Sequence, residues 1–127
     1  MSNAPTVLLG DIPPYRAVVR SSTTATGTTV TADDSGTLFV NLSTSAHTYT
    51  LPTVALGKGK IWHFLNAETT QTLAITGGDT DLIMGGADGN LADTITSAAV
   101  AGESTSILCD GTYYYALGSN GTWTASG

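Results

Sequence analysis

The residues able to do chemistry are few, and their spacing argues against catalysis. The run GGDTDLIMGG at 77–86 sets Asp79 and Asp81 between two glycine pairs, with Asp88 close behind. Glycine–aspartate runs hold calcium when the pairs recur every nine residues. Here Gly77 and Gly85 stand eight apart and the run occurs once. Solvated turn carboxylates are the expected reading, with no metal; a calcium ion held by Asp79, Asp81 or Asp88 is the lesser alternative. His47 and His63 are the only histidines, with no cysteine or second histidine at ligand spacing, so structural roles are expected rather than zinc. Ser35 (in DSG) and Ser104 (in GESTS) lack the G-x-S-x-G setting of a nucleophile elbow. Gly57, Lys58, Gly59 and Lys60 share only composition with a phosphate loop, because the Lys-Ser/Thr step and the following helix are missing. Two carboxylates for glycoside hydrolysis cannot be assigned to one cleft. The expectation is a chain that is not an enzyme and carries no cofactor.

The aromatic residues say more. Tyr113, Tyr114 and Tyr115 are consecutive, so a strand there turns at least one away from the core. Together with Trp123 they form a candidate exposed aromatic interface, and Trp62 joins them as a candidate stacking platform. Cross-strand pairing within the sheet is the competing reading. Cys109 is the only cysteine, which excludes an intrachain disulfide. Its setting, SILCDG, predicts a buried, inert thiol.

The elements that must position these residues are strands. Residues 37–66 form the centre. Leu38, Val40 and Leu42 alternate with Phe39 and Asn41; Tyr49 and Leu51 alternate with Thr48 and Thr50; Ile61, His63 and Leu65 alternate with Trp62 and Phe64. A period of two places alternate side chains on opposite sheet faces. Residues 44–46 read as a hairpin-like loop between the first two strands, and 52–59 as a longer loop. Further strands are expected at 72–76, 93–97, 104–109 and 112–117, the last two joined by the two-residue signal Asp110-Gly111. No repeat period is visible in the sequence. About eight short strands separated by turns, few helix formers and much threonine predict an all-β fold, a single compact antiparallel β-sandwich or small barrel.

Residues 1–29 read as an extended N-terminal arm and polar linker, and 30–127 as the β domain. Pro5, Pro13 and Pro14 deny the arm backbone donors. Val7, Leu8, Leu9, Tyr15, Val18 and Val19 nevertheless need burial, against the body, a sister subunit or another protein. A first edge strand of the same domain is the alternative. The start lacks a basic stretch followed by a long apolar run, so no signal peptide is expected, and no run is long enough to span a bilayer as a helix.

Charge narrows the partners. Only 11% of residues are charged, against about 25% in an average domain. Up to residue 20, Arg16 and Arg20 outweigh Asp11 by one charge. Beyond it Lys58 and Lys60 face nine carboxylates, a balance of −7. Such a body repels phosphate, which disfavours nucleic acid and anionic membrane.

The order VTADDSGTLFVNL, TYTLP, a glycine-bearing loop, IWHFLN, LAIT, DLIMGG and GESTSILCDGTYYYAL resembles small β-rich virion proteins of tailed bacteriophages. The head-decoration (cement) and head-fibre type is meant, and β-rich tail-fibre modules are similar. The resemblance runs from about Val30 to Leu117 and brings no shared catalytic motif. It implies a homotrimeric protein on the outer capsid surface of the virion, made in the host cytoplasm. Its partner would be the major capsid protein. A capsid-binding arm would consist of Pro13, Pro14, Tyr15, Arg16, Val18 and Arg20. The alternative is a receptor- or glycan-binding module of a tail fibre, built on the aromatics.

Overall fold

The computed structural model describes residues 15–79, 83–84 and 91–126. Its first half winds between two sheets. β1 (Ala17–Arg20), β3 (Thr37–Asn41) and β5 (Ile61–Asn66) lie in one sheet; β2 (Gly27–Thr29), β4 (His47–Thr50) and β6 (Leu73–Thr76) lie in the other. Within each sheet these strands are parallel and in register. Val18 pairs with Leu38 and Leu38 with His63; Thr28 pairs with Tyr49 and Tyr49 with Ile75. The chain therefore makes three stacked rungs, each crossing from one sheet to the other.

The second half closes this stack with mostly antiparallel strands. After β7 (Ile83–Met84) and β8 (Leu91–Ala92) come β9 (Thr94–Ser97), β10 (Glu103–Cys109), β11 (Tyr114–Asn120) and β12 (Trp123–Ser126). β9 runs antiparallel beside β6, and β10 beside β5. The result is a sandwich of a seven-stranded sheet, β1-β3-β5-β10-β11-β7-β8, and a five-stranded sheet, β12-β9-β6-β4-β2.

The all-β sandwich expected from the sequence is the fold. Its sheets are mixed rather than antiparallel, because the rungs repeat one strand direction. Residues 44–46 are a corner between sheets, not a hairpin loop, since β3 and β4 have no pairing with each other. The loop at 52–59 contains a single helical turn, α1 (Val54–Gly57). The hairpin at Asp110 holds four residues between Cys109 and Tyr114, not two. Asp110 Oδ1 accepts from the amides of Thr112 and Tyr113, and Gly111 supplies the left-handed φ of 94°. From residue 15 on, the stretch read as arm and linker supplies the first strand of each sheet.

The core is aromatic. Phe39 and Phe64, register partners on adjacent rungs, stack with ring centroids 5.5 Å apart. Tyr49 packs against both from the opposite sheet. Trp62, Leu73, Ile75, Ile95 and Ile107 are among the residues that extend the buried layer. At the corner where each rung leaves the larger sheet stand Ser21, Asn41 and Asn66. Asn41 donates to Asn66 Oδ1 over 3.1 Å, and Asn66 donates to the carbonyl of Gln71 over 3.0 Å. Such a ladder satisfies buried amides that a tight corner leaves without sheet partners.

Gly36 and Gly78 mark two positions where glycine is needed. Gly36, at φ 85°, donates to Ile61 O and accepts from Arg16 N, both over 2.7 Å, tying β1 to β5. A Cβ on Gly78 would stand 2.6 Å from Pro52 C and 2.7 Å from Thr53 N.

Candidate interaction face

Alternation decides what the larger sheet shows to solvent. In β3 and β5 the inward set is Thr37, Phe39, Asn41, Trp62, Phe64 and Asn66, all buried. The outward set is Leu38, Val40, Ile61, His63 and Leu65, all only half-buried. Register extends this outer face into rows. Val18, Leu38, His63, Ser106 and Leu117 lie side by side across five strands, and Arg20, Val40, Leu65 and Ser104 form the row beside it. An apolar sheet face without a covering layer among the described residues is the feature that marks interaction surfaces.

β1 forms the open edge of that face. All four of its residues are exposed, Val18 at 59% and Val19 at 44%. Among the described residues no further strand pairs with its outer backbone groups, which makes the edge a template for strand addition. Arg16 and Arg20, both exposed, flank it. The Arg16 guanidinium donates to the carbonyl of Asp33, which holds the start of β1 against the 3-10 turn at Ala32–Asp34. Tyr15 is also exposed and meets the His63 ring edge-on, 4.8 Å between centroids. The structure thus gathers Tyr15, Arg16, Val18 and Arg20 at one edge; Pro13 and Pro14 lie outside the described residues.

The aromatic set separates. Tyr113 and Tyr115 remain half-buried on the outer side, ring centroids 6.2 Å apart, with the Tyr115 hydroxyl donating to Asp110 Oδ2 over 2.8 Å. Tyr114, Trp123 and Trp62 are core residues and cannot form an exposed interface or a stacking platform. The strand alternation sends Tyr114 inward, where its hydroxyl donates to Pro52 O and accepts from Gly78 N over 3.2 Å. Burial pushes that hydroxyl's pKa far up. Trp123 Nε1 is satisfied by Asn120 O over 3.1 Å, and Trp62 Nε1 by Thr31 O over 3.1 Å.

The other chemically able residues have local work. Asp79 Oδ1 accepts from the first amide of α1, Val54 N, over 2.9 Å; Asp81 and Asp88 lie outside the described residues. No group of His, Cys, Asp and Glu among the described residues could hold a metal. Cys109 is buried, and burial raises its thiol pKa. His47 is buried between Ala25 O at 3.2 Å and Thr28 Oγ1 at 2.8 Å, stacked on Tyr49.

One pairing was not legible from the sequence. His63 Nδ1 lies 2.7 Å from Ser106 Oγ, and burial holds the imidazole pKa below its ordinary value. A neutral imidazole beside a hydroxyl is the first element of a nucleophile–base pair. Among the described residues nothing bonds Nε2 to orient the ring. Ser106 and His63 are direct partners across β10 and β5, so the bond is a cross-strand contact. Only the register, which joins residues 43 apart, could have revealed it.

No protein-family model matches this chain, and no curated protein matches it.

Proposed function

We propose that this chain is a non-enzymatic capsid decoration (cement) protein that binds the outer surface of a phage head and bridges major capsid protein subunits. The observation that carries the reading is the half-exposed apolar outer face of the seven-stranded sheet, running out to the open, arginine-flanked edge of β1. Val18, Leu38, Val40, Leu65 and Leu117 offer apolar burial. The β1 backbone offers strand addition, and Arg16 and Arg20 offer pairing with capsid carboxylates. An acidic body with a basic edge gives the contact a direction. Homotrimerisation, with Pro13 and Pro14 contributing to the contact, belongs to the same proposal.

Quantitative mass spectrometry of purified virions tests this. Copies of the same order as the major capsid protein are expected. A few copies per particle would favour the second reading, a receptor- or glycan-binding fibre module, for which the outward Tyr113 and Tyr115 pair is the candidate contact. Absence from particles would overturn both. Truncation to residue 20 is a poor test, because it removes β1 from the sheet. Val18→Glu is better, since the side chain is exposed. It should leave stability within about 0.5 kcal/mol and weaken binding to expanded heads by about tenfold or more.

A further inference from the structure

The outer face of the seven-stranded sheet carries a dimple of about 140 Å³ over its central strands, walled by Tyr15, Leu38, His63, Ser104, Ser106 and Gly118. A bulge lies beside it. Ser104 pairs with Asn120 and Ser106 with Leu117, so two steps on β10 match three on β11. Gly118, within the longer span, takes a left-handed φ of 60° and brings no side chain. Bulges disrupt a ladder locally and re-aim its side chains. The space is well below the ~300 Å³ or more of a small-molecule site. It suits the end of one side chain.

Its chemistry differs from the apolar rows around it. His63 Nδ1 is bonded to Ser106 Oγ at 2.7 Å, while His63 Nε2 and Ser104 Oγ have no hydrogen-bond partner among the described residues. An apolar surface laid over the face would bury both unsatisfied. A group that accepts hydrogen bonds is needed, and the charges favour an anionic one. No Asp or Glu lines the dimple. Glu103, the only carboxylate on β10, points to the inner side, where the amides of Ala98, Val100 and Thr122 hold it. The titratable or charged groups nearest His63 on this face are Tyr15, edge-on, and Arg20, in the next row and two strands away. β3, β10 and β11 present Leu38, Ser104, Ser106 and Leu117 beside the ring, and β5 itself Ile61 and Leu65, none of them titratable.

We propose that this dimple receives the carboxylate of one Asp or Glu side chain from the protein partner that covers the outer face. Nε2 of a protonated His63 donates to the carboxylate, and the Ser104 hydroxyl gives it a second bond. His63 Nδ1 donates to Ser106 Oγ, which fixes the ring. Burial favours the neutral imidazole in the free protein, and an opposite charge beside it favours the charged form. Binding therefore takes up a proton, and attachment tightens as pH falls from about 7.5 to 5.5. The identity of the partner as a capsid subunit rests on the proposed function; the preference of the dimple for a carboxylate does not.

Two matched probes, N-acetyl-glutamate amide and N-acetyl-glutamine amide, test the dimple on the full chain, with the His63 ring followed by NMR. The glutamate probe should move the His63 titration midpoint up by about one pH unit, which corresponds to about tenfold tighter binding to the charged ring. The glutamine probe should leave it in place. Ser104→Ala, which removes a hydroxyl without a partner among the described residues, should weaken the glutamate probe several-fold. A midpoint left unmoved by the glutamate probe, or moved equally by both probes, would overturn the proposal. On expanded heads, binding should tighten on acidification, and His63→Gln should abolish that tightening. Head binding that weakens as pH falls would also overturn it. Heads that bind neither form, while the glutamate probe still moves the midpoint, would sink the capsid reading and uphold the carboxylate site.

Discussion

The rung stack from Ala17 to Thr76 and the closing strands from Thr94 to Ser126 bury similar side chains by different rules. In the stack, parallel in-register strands bring equivalent positions into contact: Phe39 on Phe64, Asn41 on Asn66. Each rung supports the next, and the first rung ends in an exposed edge. In the closing strands, antiparallel pairs bring unlike positions together, and the ends are fixed by single anchors. Glu103 Oε1 accepts from Ala98 N and Val100 N, and its Oε2 from Thr122 N. A stack fails where one layer is removed; a closed hairpin fails where one anchor is removed.

Phe64→Ala should therefore show the largest effect. The ring touches Phe39 on the adjacent rung and Tyr49 on the facing sheet, so its loss leaves a cavity at the middle of the stack. A destabilisation of about 3–5 kcal/mol is expected by denaturant unfolding. Trp123→Ala, at the end of the closing strands, should fall at or below the low end of that range. A larger loss at Trp123 than at Phe64 would reverse the ranking of the two regions.

Gly78→Ala probes where the two regions meet. Its Cβ would strike the backbone of residues 51–53, and its amide is held by the Tyr114 hydroxyl. About 1–3 kcal/mol should be lost through forced backbone movement. Unchanged thermal stability would mean that the β6 end yields freely.

The sequence made the alternation and the strand class legible, because both depend on neighbours one or two positions apart. It did not make the rungs legible. The register steps 20 residues from Val18 to Leu38, then 25 from Leu38 to His63. The second step is longer because it includes the 52–60 stretch with α1. Unequal corners hide a structural repeat from any fixed period. The same blindness made residues 44–46 look like a hairpin loop. At the candidate site, Val18 and Arg20 were legible as residues needing a partner. That Leu38, Val40 and Leu65 share their face depends on long-range register. Tyr114 and Trp123 could not be told from exposed aromatics, since large amphipathic rings occupy either setting.

The pH response should separate the regions more gently. His47 lies in the stack, and burial lowers its pKa from the ordinary 6.5, only partly opposed by its bond to Ala25 O. His63, on the outer face, is lowered by burial too. Between the folded and unfolded pKa values the unfolded chain binds more protons, so stability falls as pH drops below about 6.5. Melting temperature should decline from pH 7.5 to 5.5, and His47→Gln should flatten part of that slope. A slope unchanged in His47→Gln would move the effect to His63 or to the carboxylates.

The smallest effect should come from two single oxygen atoms. Tyr49, in the stack, buries a hydroxyl that has no hydrogen-bond partner among the described residues. Burial pushes its pKa to about 12, although Ser21 lies near enough to draw it the other way. Tyr114, at the seam, buries a hydroxyl that both donates to Pro52 O and accepts from Gly78 N. Removing an unsatisfied buried hydroxyl relieves a desolvation cost, while removing a satisfied one strands its partners. Tyr49→Phe should be neutral or stabilising by up to about 1 kcal/mol, and Tyr114→Phe destabilising by about 1 kcal/mol. The signs carry the argument more than the sizes, and paired urea titrations read them directly. If both substitutions destabilised equally, the Tyr49 hydroxyl would have a partner after all, either the nearby Ser21 hydroxyl or a bound water.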